Sequence, residues 1–121
     1  MTIKIEKFED LDVWQNAVEL SVKIYLKFAD CHDFSFRNQI CRASISVPSN
    51  IAEGYERQYN KEFVQFLFIA KGSAGELRTQ LCIARKLGLL SEPDYSCMIE
   101  VSRKISAQLH QLIKTRKEKF S

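Results

Sequence analysis

The sequence predicts an all-α fold, an antiparallel up-down-up-down four-helix bundle, and three observations carry that prediction. Four segments place apolar residues every three or four positions, the repeat of an amphipathic helix. The breaks between them are short, so successive helices must run antiparallel and pack as neighbours. Only four Gly and two Pro occur in 121 residues, too few for the turns of a sandwich or barrel. A chain of this length falls in the range of one domain, and residues 1–121 are expected to form a single one. Its 45% hydrophobic and 27% charged residues are ordinary for a folded chain and far from the disordered range.

The first helix is expected over about Leu11 to Phe28. At ~100° per residue, Leu11, Trp14, Val18, Ser21, Tyr25 and Phe28 fall on one stripe, and Val13, Ala17, Leu20 and Ile24 on the next. Together they cover about 200°, twice the arc of about 100° that one core requires. The excess predicts burial on two sides, the second against another subunit, and assigns Val13, Leu20 and Ile24 to that need.

Capping residue types between Asp30 and Asp33 open a second helix over about Phe34 to Glu56, with Phe36, Ile40, Ala43, Val47 and Ile51 inward. Arg42, Asn50, Glu53 and Arg57 fall on a polar stripe bordered by apolar residues on both flanks. This stripe is read as a structural network between helices or subunits first, with ligand or nucleic-acid contact second, and the loss of Glu53 is expected to cost what a buried arginine costs without its partner. Pro48 removes a backbone donor and predicts a kink. Asn60 is a suitable cap for a third helix from Lys61 to about Leu87, which Gly88 should stop. The small residues Ala70, Gly72, Ser73, Ala74 and Gly75 predict close approach of a neighbouring helix. Ser91, Pro93 and Asp94 start the last helix in an arrangement resembling a capping box.

Residue types and spacings exclude most chemistry. Segment Phe63 to Ala70 is much shorter than the ~20 residues of a membrane span, so no membrane helix is expected. Met1 to Phe8 carries Lys4, Glu6 and Lys7 and does not read as a signal peptide, which predicts a cytoplasmic protein. Cys31, Cys41, Cys82 and Cys97 have no Cys-x-x-Cys spacing and are expected to be free thiols. His32 and His110 lack the Glu-x-x-His pattern of di-iron bundles, so no metal or cofactor is expected. Lys71 to Gly75 matches neither a P-loop nor Gly-x-Ser-x-Gly and reads as helix packing. No enzymatic activity is predicted.

Charge is uneven along the chain. Residues 1–60 hold 7 Lys/Arg against 9 Asp/Glu, whereas residues 61–121 hold 11 against 6, within a formal total of +3. The basic excess suggests polyanion binding through Arg78, Arg85 and Lys86 on the third helix and Lys114, Arg116, Lys117 and Lys119 at the end. No base-reading module is present, so contact with RNA or DNA is expected to be mainly to the backbone.

Several blocks also carry a resemblance. Phe8-Glu9-Asp10-Leu11-Asp12-Val13-Trp14-Gln15-Asn16-Ala17, Gln39-Ile40-Cys41-Arg42-Ala43-Ser44, Ser49-Asn50-Ile51-Ala52-Glu53-Gly54 through Arg57, and Ala70-Lys71-Gly72-Ser73-Ala74-Gly75-Glu76-Leu77 resemble, in order, the bacterial four-helix bundle family of 23S rRNA intervening-sequence proteins. Cys31 to Ser35 departs from the family's first turn. The resemblance implies a homo-oligomeric ring, with five subunits as the expectation, and no enzymatic activity. Related accessory proteins of diversity-generating retroelements associate with a reverse transcriptase and nucleic acid. The expected function is therefore an oligomeric scaffold that binds nucleic acid, the alternative being a protein-binding adaptor or structural oligomer without that affinity.

Overall fold

The computed structural model describes residues 4–120, Phe120 by its backbone alone; Met1–Ile3, the start of the segment read for a signal peptide, and Ser121 lie outside. A 3-10 turn at Phe8–Asp10 leads into α1 (Asp12–Lys27), α2 (Phe34–Tyr55), α3 (Asn60–Lys86) and α4 (Glu92–Phe120), with no strand among the described residues. Helix α1 packs on α2 and α4, α2 on α3, and α3 on α4, while the diagonal pairs do not approach. This is the four-helix bundle that periodicity and short connections predict.

Local chemistry sets the ends. Asp33 caps α2, its side chain accepting from the Phe36 amide at 3.0 Å. Helix α3 ends in a Schellman motif: Gly88 takes φ +76°, its amide donates to the Arg85 carbonyl, and the Leu89 amide donates to that of Ala84. Only glycine adopts that φ without strain. At α4, the Asp94 amide donates to Ser91 Oγ at 3.3 Å, the contact that a Ser-x-x-Asp box provides. Asn60 differs from its predicted role. Tyr59 is the N-cap, without a side-chain bond, and Asn60 is the first residue of α3, its side chain turned to α4.

The core also corrects the reading of α1. Val13, Ala17, Leu20 and Ile24 are buried within the subunit. Their stripe is broad because α1 contacts both α2 and α4, so they need no second subunit. The unsatisfied apolar surface lies elsewhere on α1, at Val22, Tyr25 and Leu26, which are exposed. Pro48 is buried inside α2, which continues past it to Tyr55. Of the small-residue run, Ala70 and Ala74 are buried and Ser73 meets Ser46 of α2, as close packing requires, but the glycines are not packed against a neighbour. A Cβ on Gly72 or Gly75 would meet nothing within 4 Å, whereas one on Gly54 would lie 2.5 Å from the Phe66 Cβ. Gly54 is thus what lets α2 and α3 close together, and Gly72 is open to solvent.

Candidate nucleic-acid interface

The polar stripe of α2 resolves into two separate clusters. Ser46 Oγ lies 2.8 Å from Ser73 Oγ on α3 and accepts from Asn50 Nδ2 at 2.9 Å. One turn further on, Arg57 donates to Glu53 at 3.0 Å, reaches Glu62 at 3.7 Å and lies over the Phe66 ring. The Glu53 and Arg57 side chains are 54% and 45% exposed, so the pair belongs with surface ion pairs and not with the buried network expected from sequence. Arg42 joins neither cluster: it is exposed on the α1–α2 side, and no carboxylate among the described residues lies within 4.0 Å of it.

The basic residues singled out by charge divide by what already holds them. Arg85 donates to Glu92 at 3.0 Å and to the Leu90 carbonyl at 3.4 Å, stapling the connection between α3 and α4. That hydrogen bond, followed by one from Ser96, holds the Glu92 carboxyl below its ordinary value. Arg116 donates to Asn60 Oδ1 at 2.8 Å, and Asn60 Nδ2 donates back to the Arg116 carbonyl at 3.1 Å. Its guanidinium stacks over Phe63, and burial pushes its pKa down. Arg85 and Arg116 therefore hold elements of the fold together. Lys86 and Lys119 are exposed but stand apart from the remaining cations. Lys119, two residues beyond Lys117, points to a different side of α4.

The others converge. Arg78 on α3 donates to Ser106 on α4 at 2.7 Å, and Lys71 Nζ lies 3.4 Å from His110 Nδ1. Lys117 reaches back over the Phe68 ring of α3. Arg103, His110, Lys114 and Lys117 follow one another at intervals of seven, four and three, hence on one face of α4, and all four are exposed. The α3–α4 seam thus gathers Lys71, Arg78, Arg103, His110, Lys114 and Lys117. Among the described residues, none of its Lys or Arg side chains has a carboxylate oxygen within 4.0 Å. Lys71, Arg103 and His110 were passed over by a reading based on charge density. The spacing along α4 was the available signal.

Other chemistry finds little footing here. No group of three or more His, Cys, Asp or Glu among the described residues is placed to hold a metal ion. The four cysteines are free, and burial raises the Cys41 thiol above its ordinary pKa despite nearby Arg37. Tyr95 Oη and Cys82 Sγ lie 3.2 Å apart at the inner edge of the seam, and this contact raises the phenol's pKa. No helix of the described residues is long and apolar enough to cross a membrane.

The model of the 23S rRNA-intervening sequence protein family matches residues 9–111, from the 3-10 turn through most of α4. The chain belongs to that family. Its fold is similar to the crystal structure of a protein of unknown function from the S23 ribosomal protein family of Bacteroides thetaiotaomicron, at 25% identity and TM-score 0.79, over 84% of this chain and 98% of that one. No functionally curated protein matches the chain. The match takes in Lys71, Arg78, Arg103 and His110 of the seam and stops short of Lys114 and Lys117.

Proposed function

We propose that this member of the 23S rRNA-intervening sequence protein family is a non-enzymatic oligomeric scaffold that holds nucleic acid by its phosphate backbone along the α3–α4 seam. One observation carries the reading: Lys71, Arg78, Arg103, Lys114 and Lys117 lie along one seam with no carboxylate within 4.0 Å among the described residues. From Arg103 to Lys117 the stripe runs ~21 Å at 1.5 Å per residue, about the rise of six base pairs at 3.4 Å each. Lysine, arginine and histidine at such intervals meet successive phosphates, and the absence of competing carboxylates leaves those contacts to the ligand. Self-association repeats a seam of modest charge and adds avidity. Ser73 is bonded to Ser46 and not to an imidazole, which favours a scaffold over a hydrolase.

The test is fluorescence anisotropy with RNA and duplex DNA across a series of salt concentrations. Binding should weaken with salt at a log–log slope of about −4 to −5 for five phosphate contacts on duplex DNA. The pair Arg103→Glu and Lys114→Glu should lower affinity at least tenfold at low salt, and the pair Lys86→Glu and Lys119→Glu much less. No binding at low salt, or binding indifferent to the seam, rejects the assignment and favours a protein-binding adaptor, with a reverse transcriptase among the partner classes.

A further inference from the structure

The seam between α3 and α4 carries aromatic rings among its cations. Phe68 of α3 is 47% exposed even with Lys117 Nζ 5.0 Å from its ring centroid, so aromatic surface stays open beside that cation. Lys71 follows Phe68 by three residues and therefore shares its face of α3. Its Nζ lies 3.4 Å from Nδ1 of His110, an exposed side chain of α4. Ring, cation and ring thus succeed one another across the seam. Lys114 stands one turn beyond His110, and neither it nor Lys71 nor Lys117 has a carboxylate oxygen within 4.0 Å among the described residues.

We propose that the seam takes single-stranded nucleic acid in preference to duplex, one unpaired base lying against Phe68 and its neighbour against His110, with Lys71, Lys114 and Lys117 on the phosphates between and beside them. The inference rests on the backbone binding proposed above and names the class of strand. Phosphate charge alone would choose the other class, because a duplex carries its charges more densely than a single strand. The rings reverse that order. In a duplex each base is stacked on its neighbours and presents only its edges in the grooves, so a paired base reaches Phe68 only by leaving the stack. An unpaired base offers its face directly, and phenylalanine and histidine are both stacking partners for such bases. A cation between two rings matches the strand's own alternation, since neighbouring bases share the phosphate that joins them. Every base has a π-face, so this mode needs no base-reading side chain and leaves sequence preference weak.

Fluorescence anisotropy with the full chain tests this on three probes of equal length: oligothymidylate, the same strand paired with oligoadenylate, and an abasic deoxyribose-phosphate strand. Oligothymidylate should bind more tightly than the duplex, and at least about fivefold more tightly than the abasic strand, the advantage expected of one stacked base. Its log–log salt slope should be about −3.5 for five phosphate contacts, shallower than that of the duplex. Phe68→Leu, which keeps an apolar side chain but removes the ring, should abolish most of the advantage over the abasic strand, and His110→Ala added to it the rest. Circular dichroism melts should show both variants folded. Any change in how Lys117 is held acts on both strands alike, so their ratio isolates stacking. An abasic strand that binds as tightly as oligothymidylate, a duplex that binds more tightly, or an advantage that survives both substitutions overturns the inference and leaves backbone binding standing. No binding of any probe at low salt, or binding indifferent to Arg103→Glu with Lys114→Glu, overturns both.

Discussion

Adding one methyl group to Gly54 and one to Gly72 should move stability in opposite directions. At Gly54 the new Cβ would sit 2.5 Å from the Phe66 Cβ, 3.1 Å from Phe63 Cδ1 and 3.3 Å from the Phe63 carbonyl oxygen. Carbon atoms settle at about 3.5–4.0 Å, so α2 and α3 must part locally by about 1 Å. The nearest atoms are rooted in the α3 backbone and cannot swing aside. Overpacking of this kind costs about 1–3 kcal/mol, against which alanine in a helix interior recovers about 1 kcal/mol relative to glycine. Gly54→Ala should therefore lose up to about 2 kcal/mol. At Gly72 nothing lies within 4 Å, and only the propensity gain of about 0.5–1 kcal/mol remains. For a chain of this size 1 kcal/mol moves the melting temperature by roughly 3–5 °C. Thermal and urea unfolding by circular dichroism would measure both changes. A Gly54→Ala variant that melts at or above its parent would refute the close approach of α2 and α3 at that point.

Two further changes probe the polar contacts. Asp94 is held below its ordinary pKa by the hydrogen bond from Lys27 and then by that from Ser91, so its contribution to stability is present above its unfolded pKa of about 4 and is lost as pH falls through the lower folded value. Asp94→Asn should consequently be less stable than wild type at neutral pH, and the gap should close in urea titrations as the pH falls below about 4; a gap of constant size would count against the ion pair. Glu53→Ala should lower stability by no more than about 1 kcal/mol, because the pair is half-exposed and Arg57 keeps Glu62 and the Phe66 ring. A loss of 3 kcal/mol or more in urea unfolding, the scale of a broken buried pair, would contradict the exposed geometry.

The helices were legible because their signals are local. Periodicity, the Asp33 cap, the Gly88 stop and the Ser91 box act within a few residues, and each appears where the sequence places it. What was misread depends on contacts far apart in the chain. Asn60 is a sound cap by residue type, but its side chain bonds to Arg116, 56 residues away. The glycines of α3 looked like a packing surface, yet their side of the helix faces outward, and Gly54 makes the close approach. The same holds for charge. Arg78, Arg85 and Arg116 are alike in sequence, and only the fold reveals that Arg85 meets Glu92 while Arg78 meets a neutral serine. The α4 half of the seam could be read from its spacing, but the facing positions of Lys71 and Arg78 follow only from how α3 turns toward α4.

The seam also predicts a role for one aromatic ring. Lys117 of α4 lies over the exposed ring of Phe68 on α3, beside the contact of Arg78 with Ser106 that joins the same two helices. A cation is attracted to an aromatic face, and a lysine held there samples fewer of the rotamers it would otherwise explore. Phe68→Ala leaves the charge of the seam unchanged while releasing that side chain. It should weaken duplex binding by about two- to tenfold, the scale of one long side chain ordered on binding, with the salt slope of the anisotropy titration unchanged. Binding as tight as that of the wild type would show that the ring does not hold Lys117 for the ligand.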